Sequence, residues 1–158
     1  MERTIHGWTG NTRVADKTVY VLNGPNLNLL GTREPHIYGH DTLDDIAARL
    51  VARGAQLGLG IDLRQSNHEG HLVDWLHEAH FEGAHAVLLN AGAYTHTSIA
   101  LHDAIKAISV PVIEVHLSDP ETREPFRHIS YVGMAAIQCV KGLGPDSYVV
   151  ALEAAAKL

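Results

Sequence analysis

The sequence predicts a doubly wound α/β domain, a parallel β-sheet with helices on both faces. Three observations predict it. Five short apolar runs, rich in β-branched residues, alternate with segments whose apolar residues recur at helical spacing. The runs lack the strict in–out alternation of a half-exposed strand, so each is expected to be covered on both faces. Finally, 158 residues accommodate five strand–helix units and little else. A flavodoxin-like five-stranded sheet is the arrangement that this combination suggests.

The predicted strands are TVYVLN (18–23), LGIDLRQS (59–66), HAVLLNA (85–91), VPVIEVH (110–116) and AAIQCV (135–140). Between the first two, Leu43, Ile46, Ala47, Leu50 and Val51 form a helical stripe, with Asp41 or Thr42 as its N-cap. Leu72, Trp75, Leu76 and Ala79 form a second stripe, and Ala100, Ala104, Ala107 and Ile108 a third. The tail from Asp146 to Leu158 forms the fourth. The length fits one domain, read as residues 18–158. Residues 1–17, which lack the apolar core of a signal peptide, are read as a flexible N-terminal extension.

Composition excludes several classes. The formal charge of −6, with no run of Lys or Arg, offers no footprint for nucleic acid or an anionic membrane surface. No apolar run approaches the ~20 residues of a membrane-spanning helix. The single cysteine, Cys139, precludes an intrachain disulfide, and its apolar surroundings predict a buried core thiol. A cytoplasmic protein is the simplest reading.

In doubly wound sheets, ligands bind beyond the carboxyl ends of the strands. Here those ends run out into Asn23 and Asn26, Ser66 and Asn67, Asn90, and Glu114, His116 and Ser118. Four successive strands thus leave hydrogen-bonding residues on one edge, which favours a polar small-molecule site. The familiar motifs are missing. Neither His68–His71 nor His77–His80 has the His-Glu-x-x-His spacing of a zinc site, so His71, His77 and His80 read as solvated helix positions. There is no glycine-rich dinucleotide fingerprint, no phosphate-loop lysine and no Gly-x-Ser-x-Gly elbow. Acid–base chemistry or simple binding, with no metal and no cofactor, remains.

Three segments carry candidates for that chemistry. The first, NGPNLNLLGTREPHIYG (23–39), is long, polar and poor in residues that burial would hold; it contains Arg33 and Tyr38. A tyrosine is a base at neutral pH only if a nearby cation lowers its pKa, which Arg33 could do, although the pair also fits an ordinary surface contact. The second, LNAGAYTHTS, places Asn90 at a strand end and His96, Thr97 and Ser98 at a helix start, where Thr97 and Ser98 are explained as caps. In the third, EVHLSD, Glu114 and His116 are two apart in a strand and share a face. A carboxylate beside an imidazole suits a general acid, and equally a buried ion pair at a sheet end.

These segments, with RQSNHEGHLVDWLHEA and PVIEVHLSDPETREPFRHISY, occur in the order and spacing of type II 3-dehydroquinate dehydratase, which the chain closely resembles over residues 18–157. The resemblance implies a flavodoxin-like fold, a dodecamer of four trimers, and dehydration of 3-dehydroquinate to 3-dehydroshikimate without metal or Schiff base, in the shikimate pathway or in quinate breakdown. It implies that Tyr38, favoured as tyrosinate by Arg33, takes the proton α to the ketone. Asn26 would hold a water that stabilises the enolate, and His116, oriented by Glu114, would protonate the departing hydroxyl. Asn90 with Leu117 and Ser118 would bind the carboxylate, and His96 and Arg127 the ring hydroxyls. Asp103 would reach a neighbouring subunit's site, and the first loop would close as a lid. A non-catalytic sensor of the same acids is the competing reading, against which the joint presence of Arg33, Tyr38 and His116 counts.

Overall fold

Val19, Tyr20, Val21 and Leu22 are all buried, so the first strand has no solvent face and must lie in the middle of a covered sheet. The computed structural model, which describes residues 17–32 and 34–158, places it there. The strands are Thr18–Asn23 (β1), Gly60–Gln65 (β2), Ala86–Asn90 (β3), Val112–Val115 (β4) and Gln138–Val140 (β5). All neighbours run parallel, in the order β2-β1-β3-β4-β5, which is the flavodoxin-like winding. The helices are Pro35–Tyr38 (α1), Leu43–Leu57 (α2), Glu69–Phe81 (α3), Ile99–Ala107 (α4), Tyr131–Ala135 (α5) and Asp146–Ala156 (α6).

Alternation along the strands divides the core in two. Val19, Val21, Leu63, Leu88 and Ile113 pack with Leu50 of α2 and Leu152 of α6. Tyr20, Leu22, Val87 and Leu89 pack on the opposite face with Leu72 and Leu76 of α3 and Leu101 of α4. Thr42 is the N-cap of α2: its hydroxyl accepts from Asp45 N at 3.1 Å, and the Asp45 carboxylate accepts from Thr42 N at 2.9 Å. Ser98 caps α4 by accepting from Leu101 N at 2.9 Å.

Three sequence expectations shift. The stripe of α4 is turned by one residue: Leu101, Ala104 and Ile105 are buried, while Ala100 and Ala107 are exposed. The larger Leu and Ile side chains take the core face with Ala104, and Ala100 and Ala107 are left outside. The last apolar run is split, because Ala135 ends α5 and only Gln138–Val140 pairs with β4. Cys139 lies on this short edge strand and is exposed, not a core thiol. An edge strand has only one paired side and less cover than a central one. Residues 1–16, most of the expected N-terminal extension, lie outside the described residues. Among the described residues, no helix is long and apolar enough to cross a membrane.

The order of winding reverses between β1 and β3, and their carboxyl ends come unusually close there. Gly24 N donates to Asn90 O at 2.8 Å, and a Cβ on Gly24 would stand 2.2 Å from the Ala91 carbonyl oxygen. That contact is with backbone, which cannot swing away. Gly24→Ala is therefore expected to lower stability by about 1–3 kcal/mol in urea unfolding, with the loss near the upper end. An unchanged midpoint would show that the two strand ends are free to part.

Candidate active site

The close approach at Gly24 puts Asn23 and Asn90 side by side in register at the ends of β1 and β3. Both side chains are buried and need partners. The Tyr148 hydroxyl, reaching up from α6, supplies them: it donates to Asn23 Oδ1 at 2.6 Å and accepts from Asn90 Nδ2 at 2.9 Å. Asn23 Nδ2 donates onward to Arg64 O at 3.0 Å, and Asn90 Oδ1 accepts from Gly92 N at 3.2 Å. Burial pushes the Tyr148 phenol up, so it stays a neutral hydroxyl able to donate and accept at once. One Asn90 amide hydrogen is left for another partner.

The end of β4 carries the second fixed group. Thr95 Oγ1 donates to Glu114 Oε2 at 2.9 Å, and the Ser130 hydroxyl donates to the same oxygen. Ser130 is itself held by Gly133 N at 2.9 Å. His116 Nε2 lies 3.2 Å from Glu114 Oε2 without being hydrogen-bonded to it. Burial pushes the Glu114 carboxyl up, but the His116 imidazole, the Cys139 thiol and the Ser130 hydroxyl outweigh it and hold the group at about 2. Glu114 is thus a carboxylate in a nearly dry wall, beside an imidazole.

Beyond these groups lies a cavity of about 280 Å³ at the carboxyl edge of the sheet. Of the predicted site residues, Asn26, Asn90, His96, His116, Leu117, Ser118 and Arg127 all line it. Asn26 adopts a left-handed backbone, φ 68°, which asparagine tolerates better than most residues, and its N–H donates to Asn67 Oδ1 at 3.0 Å. The His96 Nδ1 and the Ile129 carbonyl are 2.7 Å apart, so Nδ1 carries the proton and Nε2 is left as an acceptor. Burial lowers the pKa of His96, against the pull of that carbonyl, and favours the neutral ring. Arg127 is anchored by Glu124 at 3.0 Å and stacks on Phe126.

The other predicted residues stand apart. Glu114 sits behind His116 and does not line this cavity. Asp103 is on the exposed side of α4, beside His102, and contributes nothing to the cavity of its own chain. Arg33 and the side chain of Tyr38 lie outside the described residues. The first loop is better anchored than its composition suggested, because Leu27 and Leu30 are buried in the core with Leu43. From residue 31 to residue 42, by contrast, no described residue is buried. Of the helix histidines, His77 is exposed as expected. His71 and His80 are only half-buried and pair with Ser66 and Ser109 at 2.7 and 3.2 Å.

Sequence reasoning missed three participants, Tyr148, Thr95 and Ser130; Arg123 also lines the cavity and reaches Ser118 Oγ at 3.5 Å. Tyr148 sits in the last helix, 125 and 58 residues from Asn23 and Asn90, and nothing local marks it. Thr95 and Ser130 lie within or beside quoted segments, but their pairing across 35 residues becomes visible only in three dimensions.

Fold and cavity together define a doubly wound α/β protein with a polar cavity, walled by a carboxylate and an imidazole, at its topological switch point. The sequence model of the class II dehydroquinases matches residues 17–156. A 3-dehydroquinate dehydratase of Rhizobium johnstonii is 61% identical over 138 residues, covering 87% of this chain and 94% of the relative. That of Caulobacter vibrioides is 58% identical over 139 residues, covering 88% and 94%. Among solved structures, the type II dehydroquinase of Propionibacterium acnes superposes with a TM-score of 0.86 at 43% identity, covering 90% of this chain and 97% of that one. The enzyme of Butyrivibrio crossotus gives 0.87 at 36% identity, covering 90% and 99%. The chain belongs to the class II dehydroquinase family.

Two predictions concern the buried polar groups. Tyr148→Phe strands Asn23 Oδ1 and Asn90 Nδ2, and is expected to cost about 1–3 kcal/mol in urea unfolding; a neutral effect would mean that water replaces the hydroxyl. Glu114 titrates at about 2 in the folded chain against an ordinary 4.5. Its charge therefore contributes stability in full above pH 4.5, and that contribution disappears as pH falls toward 2. Urea midpoints followed across this window should fall less steeply in Glu114→Gln than in the parent chain, and equal slopes would contradict the depressed value.

Proposed function

We propose that the chain dehydrates 3-dehydroquinate to 3-dehydroshikimate in the shikimate pathway, through an enolate and with anti stereochemistry. The observation that carries this reading is the Glu114–His116 pair at the wall of a polar cavity that also collects Asn26, Asn90, His96, Ser118 and Arg127. Membership in the class II dehydroquinase family supports the substrate.

Two groups must act in the elimination. Tyr38, as a tyrosinate favoured by Arg33, takes the proton α to the ketone. The electron pair moves into the ring as an enolate, which a water held by Asn26 stabilises by hydrogen bonding. His116 then gives its proton to the departing hydroxyl, and water leaves. Glu114, 3.2 Å from Nε2, orients the imidazole for that transfer. The substrate carboxylate is read onto Asn90, whose remaining amide hydrogen is free for it, and onto Leu117 and Ser118. His96 and Arg127 take the ring hydroxyls, with the His96 Nε2 acting as acceptor. The segment around residues 31–39 is read as the lid, hinged where the buried anchors Leu27 and Leu30 end.

A homo-oligomer, read as a dodecamer of four trimers, is part of the proposal. Phe126, Ile129, Met134 and Ile137 are large, apolar and exposed within one short stretch, and Ile99 of α4 is exposed as well. Such surface calls for cover. Asp103 would then complete a neighbouring site.

The test is the ultraviolet absorbance of the conjugated enone after 3-dehydroquinate is added to the purified chain with a chelator present. Absorbance is expected to rise. Tyr38→Phe and His116→Ala are each expected to slow turnover by about 10²–10⁴-fold while substrate-like acids still bind. A flat trace from folded protein that binds these acids would make the cavity a binding site alone.

A further inference from the structure

Behind the wall that carries His116 lies a second cavity of about 220 Å³, onto which Glu114, His116, Arg127, Ser130, Cys139 and Lys141 all open. His116 is more than nine-tenths buried, and its Nε2 is the only buried side-chain nitrogen or oxygen among the described residues without a hydrogen-bond partner. A buried polar atom left in this state calls for an explanation. The sulfur of Cys139, a carboxylate oxygen of Glu114 and a ring nitrogen of His116 all lie within 4.8 Å of one another. Tetrahedral zinc, with ligands at about 2.0–2.3 Å, sets its donor atoms roughly 3.3–3.6 Å apart. The pocket therefore has to close by only about 1 Å around an ion of that geometry, and Cys139 stands opposite Glu114 in the β4–β5 ladder.

We infer that Glu114, His116 and Cys139 form a zinc-binding site whose occupation takes the Nε2 lone pair of His116 and stops turnover. One thiolate, one carboxylate and one neutral imidazole together cancel the charge of the ion, and the thiolate discriminates against magnesium and calcium. The fourth position faces the second cavity and takes water. As the zinc–sulfur and zinc–nitrogen bonds form, the thiol proton and the proton that His116 carries as the acid pass to solvent. The basic groups facing the cavity are already engaged. Lys141 pairs with Glu121 at 2.6 Å and Asp119 at 3.2 Å, Arg127 with Glu124 at 3.0 Å, and His128 is tied to the Arg123 carbonyl at 3.0 Å. Thr95 and Ser130 hold the carboxylate as outer partners of a metal ligand do. Without metal, Glu114 and His116 are free to act. The ion is thus a reversible inhibitor and has no part in the reaction.

Binding stands on geometry, whereas inhibition rests on His116 being the acid of the proposed reaction, so the two are measured separately. The reduced, tag-free chain is titrated with cobalt(II) and followed by absorbance, then with zinc by calorimetry in buffers of different ionisation enthalpy. Rates are taken with zinc, each relative to the same protein's metal-free rate. One ion per chain is expected, with a thiolate-to-cobalt charge-transfer band, release of protons from the thiol and the imidazole, and inhibition that chelator reverses. Cys139→Ser should abolish the band and weaken zinc binding and inhibition by at least the roughly 10–100-fold that loss of an outer-shell partner alone costs. Absence of the band, or equal zinc affinity in Cys139→Ser, overturns the site. A band with undiminished turnover leaves the site standing and overturns the block, and with it the acid role of His116.

Discussion

The hydroxyl of Tyr148 is the point on which the carboxyl edge of the sheet depends. It is the only group that touches both Asn23 and Asn90 through hydrogen bonds among the described residues, and it comes from the last helix of the chain. Two amides at the end of a parallel sheet are costly to bury unless their donors and acceptors are matched. Satisfied, the network fixes the ends of β1 and β3 and leaves one amide hydrogen of Asn90 to face the cavity. The last helix thereby completes a site built from the middle of the sheet. Gly24 makes the same demand in steric form, because the two strand ends can converge only where one of them lacks a Cβ.

Glu114 places a different constraint on the site. A carboxylate in a wall this dry survives only with several donors, and it has Thr95 and Ser130 on one oxygen and the imidazole nearby. Those donors come from the turn after β3 and from the cap of α5, so the charge binds three segments into one frame. Gly133 belongs to that frame, since a Cβ there would stand 2.9 Å from the carboxylate. Residues with no chemical role thus decide where the proposed acid stands.

The sheet, its five strands and the helix stripes were legible because burial on both faces suppresses alternation, and helices keep their 3.6-residue period. Legibility failed at the edges. AAIQCV has the composition of an inner strand, yet it divides between a short helix and an edge strand, because its neighbours and not its propensity decide its cover. The stripe of α4 was misread because alanine fits either face of a helix. Within the site, Glu114 and His116 were readable from a spacing of two, and Asn90 from its place at a strand end. Tyr148 was not readable, since a tyrosine in an apolar helix looks like core until the partner of its hydroxyl is known.

The two halves of the first loop divide its work. Leu27 and Leu30 tie residues 26–30 into the core, and Asn26 is held to Asn67, so this half belongs to the rigid edge. The following stretch has Gly31 at φ 91° and Gly39 at φ 82° near its ends, and no described residue between them is buried. Glycines in this region mark where the chain turns sharply, and a segment without buried contacts opens at little cost in free energy. In the proposed reaction the acid stands on a fixed strand end and the base on the segment that closes. A tyrosinate exposed to water gains little from a nearby arginine, because solvent screens the pair. In that proposal, closure would bring the two together in a drier place, where a cation acts more strongly on a phenol than it does in water. Tying the proposed base to the segment that closes would thus confine the reactive tyrosinate to the interval in which substrate is enclosed.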